Sequence, residues 1–405
     1  MRKSIFNVTE IFFCLCLLLV PLPSFAYDLG DYLSINGFLS QGYIHSSDNN
    51  IFGESKDGSF QLNEFALTLN STPMEKLRLS LQLLSRDLGK EGDNDILIDW
   101  AMADYRLTDS FGVRLGKVKL PVGLYNQHRD SDFLRPMAFL PQSVYTENKR
   151  TMHVGAWGGS IYGNISLGHA GDLDYQAYYG KVDFRDDSGQ AVGMESLIKK
   201  TSMQQGWGPV TSFDSENEYV TGGSLIYNLP VDGLRLGFSY FTGKSEFDFT
   251  AGGFDGKASG NSKDFVVFSL EYTGPNWTFA SEYTEFTGDR KVASIDVYDG
   301  RSQGGYVQLC YHLHESVAVS VLYDVVYADK DDRDGDRLEA SGLPDYFGWR
   351  KDFGTAIRWD ITDRWMVRAE YHNIDGAGLG LSIYNSPSVP DRYWDYYVLK
   401  TSYNF

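Results

Sequence analysis

A histidine that lies close to an aspartate in the sequence can indicate hydrolytic chemistry, and this chain has two such pairs. His45 and Asp48 form one pair, and His128 and Asp130 form the other. Either could act as a protease pair, but nearby His and Asp residues are common in polar segments. The sequence has no Gly-x-Ser-x-Gly elbow, zinc-ligand spacing or phosphate-binding loop. We therefore expect no catalytic residues and no enzyme activity.

A second candidate for chemistry is the acidic run between Asp329 and Asp336, which contains a glycine at position 335. A calcium loop aligned on this glycine would place Lys330 at the first ligand position and Ser341 at the bidentate position. Neither side chain supplies the carboxylate that the motif needs. We expect a solvated loop with no metal and no other cofactor, and binding of divalent cations is the minor alternative.

The third candidate is a polar segment, residues 119–152, that carries charges of both signs. They are Arg129, Asp130, Asp132, Arg135, Glu147, Lys149 and Arg150. Opposed acids and bases in a narrow, low-dielectric passage set a transverse field and a size limit for hydrated solutes. The alternative is that these charges solvate or brace a surface loop.

The composition limits the elements that could position these residues. Glycine, tyrosine, phenylalanine and tryptophan occur 42, 27, 25 and 8 times among 405 residues, and the mean hydropathy is −0.31. No stretch after residue 26 approaches the ~18 apolar residues of a transmembrane helix. Aromatic residues are spread evenly and no Pro/Ser-rich linker divides the chain, which argues against disorder and for one large architecture. The net charge of −18 argues against nucleic-acid binding.

Residues 1–26 have the pattern of a secretory signal peptide. Arg2 and Lys3 precede an apolar core, and Ser24, Phe25 and Ala26 form a small-x-small cleavage site. We expect residues 27–405 to form the exported protein. Cys310 is then the one remaining cysteine, so no internal disulfide can form.

Alternation with a period of two residues is the main structural signal. Apolar residues occupy every second position in residues 77–83, 234–240, 266–272, 317–327 and 365–371. Polar residues fill most positions between them. This pattern predicts strands with one apolar and one polar face.

The lengths of the connections alternate in the same regular way. Short joins are expected at residues 70–76, 107–112, 168–172, 228–233, 273–276, 313–315 and 361–364. Long polar loops are expected at residues 46–59, 86–94, 119–152, 184–216, 245–263, 288–301, 328–348 and 375–391. Seven short and eight long connections predict an all-β, antiparallel, up-and-down transmembrane barrel of about sixteen strands. As in bacterial outer-membrane barrels, the short turns should face the periplasm and the long loops the exterior.

Successive side chains of a strand point to opposite faces, so the charged residues that alternate with the apolar ones should lie on the inner face of such a barrel. We call this rule strand parity. The cations are Arg78, Arg114, Arg235, Arg358, Arg368 and Lys400, and the acids are Glu282, Asp324 and Glu370. Most of the cations lie near short turns, so the inner wall at that end should be positive. These residues either line the pore and select ions, or pair with acids and brace the wall.

Aromatic residues test the topology because they concentrate at the edges of the lipid-facing band. Those near short turns are Tyr227, Tyr272, Trp277, Tyr311, Trp359 and Trp365. The sequence ends with an aromatic, alternating strand whose last residue is Phe405. This ending resembles the assembly signal of bacterial outer-membrane proteins.

Together these features resemble the Gram-negative outer-membrane porin superfamily. The run of residues 114–125, followed by His128-Arg129-Asp130, Arg135-Pro136 and residues 141–145, is similar to strand 5 and loop 3 of porins related to the phosphate-selective and dicarboxylate-type channels. The resemblance implies a water-filled channel for passive diffusion of small hydrophilic solutes and ions. A channel specific for an anion, phosphate or a dicarboxylate is the alternative, and a barrel adhesin or hydrolase is a further one.

The same resemblance implies partners and an assembly. A porin would lie in outer-membrane lipid and lipopolysaccharide, with residues 119–152 folded into the lumen as a constriction. It would form a homotrimer with one pore in each subunit. It would contact the barrel-assembly machinery through the strand that ends at Phe405. Bridging to lipopolysaccharide through divalent cations is the minor alternative for the acidic run 329–336, and it follows from the charges of that run.

Overall fold

A computed structural model describes residues 33–89, 92–183, 188–385 and 388–405, and sixteen strands lie within them. The strands are β1 Leu33–Ser46, β2 Asn63–Met74, β3 Leu77–Asp87, β4 Leu97–Thr108, β5 Phe111–Lys119, β6 Gly155–Ser166, β7 Asp172–Lys181, β8 Val210–Asn228, β9 Leu234–Ala251, β10 Phe254–Thr273, β11 Trp277–Val292, β12 Ile295–His314, β13 Val317–Tyr327, β14 Trp349–Thr362, β15 Trp365–Asp375 and β16 Tyr393–Asn404. The expected signal peptide, residues 1–26, lies outside the described residues.

The strands form one closed antiparallel barrel in which each pairs with its sequence neighbours and β1 pairs with β16. Closure gives both edges of every strand a hydrogen-bonding partner, which a chain in lipid requires. The prediction of a sixteen-stranded up-and-down barrel is confirmed.

The two faces of the barrel differ as the alternation predicts. On β13, Val321 and Tyr323 are each 45 % exposed on the outside, whereas Ser320 and Asp324 are buried inside. The exposed band continues around the barrel through residues such as Leu115, Phe268 and Leu399. An outer surface of this kind is suited to a bilayer, and the polar face is left to the interior.

The seven short connections lie at one end of the barrel and contain two to five residues each. The aromatic residues expected there face outward. Trp277, Tyr311 and Trp359 are exposed, and the ring of Tyr272 lies 4.8 Å from that of Trp277.

The prediction of long loops is wrong for two of the eight segments. Residues 245–263 and 288–301 belong mainly to strands, and the chain reverses there in two-residue connections, residues 252–253 and 293–294. The predicted loop 184–216 is also too long, because β8 begins at Val210. Strands β8 to β12 contain 16 to 20 residues, more than the ~9–11 needed to cross a bilayer. The part of a strand that extends beyond the bilayer does not need an apolar outer face. Its sequence can therefore be as polar as that of a loop, which explains the wrong prediction.

Among the described residues, the helices lie in the connections between strands. The α-helices are α1 Arg150–Val154, α2 Gly189–Gln205, α3 Asp336–Ala340 and α4 Leu381–Asn385, and the 3-10 turns are Ser55–Asp57, Asn126–His128, Asp132–Leu134, Glu147–Lys149, Gly168–Ala170 and Asp345–Gly348. Helix α2 begins after Ser188, whose side chain accepts a hydrogen bond from the Ala191 amide, and it ends at Gly206 with φ of +69°. No described helix has the length and apolar character of a membrane span.

The seam of the barrel includes Phe405. Its backbone exchanges two 3.0 Å hydrogen bonds with Gly37 of β1. A Cβ at position 37 would lie 2.3 Å from the Phe405 ring, so glycine is required for this ring to lie across the strand.

Candidate functional site

The connection between β5 and β6, residues 120–154, lies inside the barrel, and we call it loop 3. Its apolar side chains, including Met137, Leu140 and Tyr145, are buried together with inward-facing residues of distant strands. Phe265 of β10 and Leu322 of β13 belong to this cluster. The segment expected to enter the lumen therefore fills part of it and packs against the opposite wall.

Asp132 is the main electrostatic anchor of loop 3. Its carboxylate accepts hydrogen bonds from Arg368 at 2.5 Å, from Lys400 at 3.0 Å, and from Ser402 and Arg135. The side chains of Asp132 and Arg368 are fully buried. Burial opposes ionisation, but the surrounding cations hold the pKa of Asp132 well below its usual range.

Two wall arginines also bind the backbone of loop 3. Arg358 donates to the carbonyl oxygens of Phe133 at 2.7 Å and Arg135 at 3.3 Å. Arg368 donates to the carbonyl oxygen of Met137 at 2.8 Å. These guanidinium groups satisfy carbonyls that no secondary structure pairs, as buried backbone groups require.

Three wall carboxylates contact the same loop from other strands. Glu370 accepts a hydrogen bond from the Ala138 amide, and Asp324 accepts one from the Ser143 amide at 3.1 Å. Glu282 accepts hydrogen bonds from the Leu124 amide at 2.9 Å and from the hydroxyl groups of Tyr145, Ser269 and Tyr306. All three predicted inward acids are therefore buried and hold loop 3.

Further ion pairs connect loop 3 to β3 and connect residues within loop 3. Glu147 pairs with Arg129 at 2.9 Å and with Arg86 of β3 at 2.8 Å. Although burial opposes ionisation, the two guanidinium groups lower the pKa of Glu147 to about 2. Asp130 accepts a hydrogen bond from Arg150 and lies 3.5 Å from Lys119.

The wall near the short turns is less positive than strand parity suggests. Arg114 pairs with Asp104 at 3.0 Å, Arg235 with Glu271 at 2.8 Å, and Arg358 with Asp360 at 2.9 Å; Lys400 also contacts Glu64 at 2.7 Å. Arg78 is exposed and has no ion-pair partner among the described residues. The acids of these pairs are not among the inward residues predicted from the sequence, although Glu271 stands at an inward position of the alternating run 266–272.

Open space remains on different stretches of loop 3. One cavity of about 210 Å³ borders Tyr125, His128 and Arg135 and reaches the wall at Gln308 and Arg358. Another of about 340 Å³ borders the later part of the loop and contains Lys149 and Arg290. Both are lined by apolar as well as polar side chains.

The members of the candidate catalytic pairs contact other residues. His45 stacks on Tyr397 with 5.1 Å between ring centroids, and Asp48 accepts a hydrogen bond from Ser47. In the second pair, Asp130 accepts a hydrogen bond from Arg150. In the acidic run, Asp329 pairs with Arg337 at 2.9 Å. Within the described ranges, no group of three or more His, Cys, Asp or Glu side chains is placed to hold a metal ion.

Sequence comparison gives little information about this chain. No family model matches it. An uncharacterized protein of Aquifex aeolicus (strain VF5) is 24 % identical over 315 residues, which cover 72 % of this chain and 64 % of that protein. The chain therefore spans just under two thirds of the length of this relative.

Structural comparison is more informative. The outer membrane protein OmpT of Vibrio cholerae matches with a TM-score of 0.54 and 10 % identity, covering 93 % of this chain and 99 % of that one. An anion-selective porin from Comamonas acidovorans matches with a TM-score of 0.53 and 10 % identity, covering 92 % of this chain and 99 % of that one. Salmonella typhi OmpF, in complex with daunomycin, matches with a TM-score of 0.54 and 14 % identity, covering 94 % of this chain and 99 % of that one. The chain has the sixteen-stranded barrel fold of Gram-negative outer-membrane porins.

Proposed function

We propose that the protein is an outer-membrane porin, a water-filled channel for passive diffusion of small hydrophilic solutes and ions. The observation that carries this proposal is a closed sixteen-stranded barrel with an apolar outer band and a loop held inside its lumen. A barrel of this strand number is wide enough to leave an aqueous passage when nothing fills it.

In this mechanism the barrel is passive and loop 3 sets the size limit. Backbone closure and the apolar band stabilise the barrel in lipid, while polar inward side chains replace part of the hydration of a passing solute. The charges Asp132, Arg358, Arg368, Glu370 and Lys400 hold the constriction in place. Their partners neutralise them, which favours a bracing role over direct ion selection.

Orientation and assembly are part of the same proposal. The short turns would face the periplasm and the longer loops the exterior of a Gram-negative cell. The band of exposed apolar residues would contact lipid and the neighbouring subunits of a homotrimer. The last strand, with Phe405 at the seam, would be the segment that the barrel-assembly machinery recognises.

An anion-selective channel is the second candidate. It is favoured by cations that have no carboxylate partner in the described part of the chain, Arg78 in the wall and Lys149 and Arg290 in the 340 Å³ cavity. The likeness of residues 114–145 to phosphate-selective and dicarboxylate-type porins belongs with this candidate. It concerns selectivity and leaves the channel mechanism unchanged.

Liposome swelling tests the proposal. Liposomes that contain the refolded protein should swell in isotonic arabinose, more slowly in glucose, and least in a trisaccharide such as raffinose. Liposomes with heat-denatured protein provide the control. Swelling no faster than the control in every sugar, with correctly folded protein, would contradict a diffusion channel.

A further inference from the structure

The cavity of about 340 Å³ on the later part of loop 3 has an unusual charge distribution. It contains two cations, Lys149 of the 3-10 turn Glu147–Lys149 and Arg290 near the end of β11. None of the described residues that line it is an aspartate or glutamate. Neither cation forms an ion pair within the described ranges, although most inward cations do.

The nearest acids in the sequence are already paired with other residues. Glu147 binds Arg86 and Arg129. Asp289, which lines a smaller adjoining cavity, pairs with Lys263 at 2.8 Å and accepts a hydrogen bond from Asn261 at 2.9 Å. Among the described residues, no carboxylate on the rim of the larger cavity therefore neutralises its positive charge.

Aromatic rings hold the two cations. Lys149 Nζ lies 4.8 Å from the centroid of the Phe286 ring, and Arg290 Cζ lies 5.6 Å from that of Tyr298. Such contacts position a cation without consuming its hydrogen-bond donors. Burial, together with the positive charge of Arg290, lowers the pKa of Lys149 to about 8. Both cations line the same cavity. Lys149 remains mainly protonated at pH 7, and an arginine side chain keeps its charge.

The rest of the lining includes apolar surface. Met152, Phe265 and Val326 contribute apolar walls. A volume of this size lies at the lower end of the ~300–1,000 Å³ range of small-molecule sites.

We propose that this cavity is a binding subsite for small organic anions with an apolar or aromatic body, such as aromatic monocarboxylates. The carboxylate would bind between Lys149 and Arg290, and the ring would contact the apolar wall. This inference rests on the proposed function in one respect: the bound anion would be a solute that is passing through the channel. The site itself can be measured in the absence of conduction.

Equilibrium dialysis of radiolabelled benzoate against the refolded protein in detergent measures the site directly. Benzamide, which has the same ring and no charge, is the matched neutral probe, and phosphate is the anion without an apolar body. Protein-free micelles give the blank. We expect benzoate to bind at least about tenfold more tightly than either, because a charge-assisted hydrogen bond and ring contact act together.

Lys149→Met and Arg290→Met should each weaken benzoate binding about tenfold, while Lys149→Arg should retain it. Lys199→Met, on the exposed surface of helix α2 and paired with Glu195, is the control and should bind as the wild type. Each variant is first checked for the heat-modifiable gel mobility of a folded barrel, and two separate cations keep the test valid if one variant misfolds. Equal binding of benzoate and benzamide, or unchanged binding in folded Lys149→Met and Arg290→Met, would overturn the inference.

Recordings in planar bilayers distinguish this inference from the proposed function. A protein that conducts KCl without binding benzoate refutes the subsite and leaves the porin proposal intact. A protein that binds benzoate through Lys149 and Arg290 without conducting supports the subsite and contradicts the porin proposal.

Discussion

Asp132 of loop 3 and Arg368 of strand β15 form an ion pair with 2.5 Å between Oδ2 and Nη2, and neither side chain is exposed to solvent. The residues are 236 positions apart in the sequence. A fully buried charge is costly unless it is paired and hydrogen-bonded. Since Lys400 and Ser402 bind the same carboxylate, the loop has one strongly preferred position against the wall.

Asp132→Asn should destabilise the position of loop 3. The change removes the negative charge that neutralises the buried side chains of Arg368 and Lys400. This should lower the free energy of unfolding by about 3–5 kcal/mol. Guanidinium unfolding in detergent measures that loss, and trypsin should then cleave at Arg129 or Arg135. Asp109→Asn is the matched control, since Asp109 is exposed and should change stability by less than about 0.5 kcal/mol. Equal stability and equal protection of the two variants would contradict the anchoring role.

Charge selectivity should depend on unpaired rather than paired wall cations. Arg78→Gln removes an exposed charge that has no ion-pair partner, so the zero-current potential across a KCl gradient should shift towards cation selectivity. The double change Arg235→Gln with Glu271→Gln removes a neutral pair and should shift it much less. The reverse order of effects would show that the paired residues determine the field in the pore.

Acid should weaken loop 3 through Glu147. Its pKa is about 2 in the folded protein and 4.5 for the ordinary side chain. Because the folded value is depressed, the stabilisation is complete above pH 4.5 and is lost as the pH falls towards 2, by about 3 kcal/mol in total. The thermal unfolding midpoint should fall over this range, and less in Glu147→Gln. An identical fall in both proteins would assign the effect to other acids, such as Asp130.

The direction of the barrel in the membrane can be tested with inserted tags. A tag after Gly253 or at Asp334 should be labelled on intact cells, and a tag at Pro275 should not. Gly253 is preferred to positions within β10 because it lies in the two-residue connection, where an insertion leaves the strand ladder intact. Labelling at Pro275 alone would reverse the proposed orientation.

The faces of the strands could be predicted from sequence because the period of two is a local property. The alternation places Val321 and Tyr323 on one face and Asp324 on the other, and in the structure the first two are exposed and Asp324 is buried. Strand ends were harder to predict. On β9, Leu236 and Phe238 face outward, but further along Phe247 and Phe249 are buried inside against helix α2, and the exposed Asp248 lies on the opposite face. The apolar face therefore changes sides where the strand extends past the bilayer.

The partners of the charged residues could not be predicted. Parity identifies Arg368 and Lys400 as inward residues, but no local spacing connects them to Asp132. Which inward charges are free and which are neutralised depends on the path of loop 3 through the lumen. The cavity around Lys149 and Arg290 depends on the same path, since the two residues are brought together by tertiary packing.

Single-channel recording in planar lipid bilayers is the most direct test of the central claim, that the barrel is a water-filled channel narrowed by loop 3. The purified wild type should give discrete current steps in KCl, and a variant shortened between Arg129 and Glu147 should give larger steps and admit larger sugars. A wild type that inserts as a folded, heat-modifiable barrel without current steps would contradict the channel. Equal steps in the folded shortened variant would contradict the constriction.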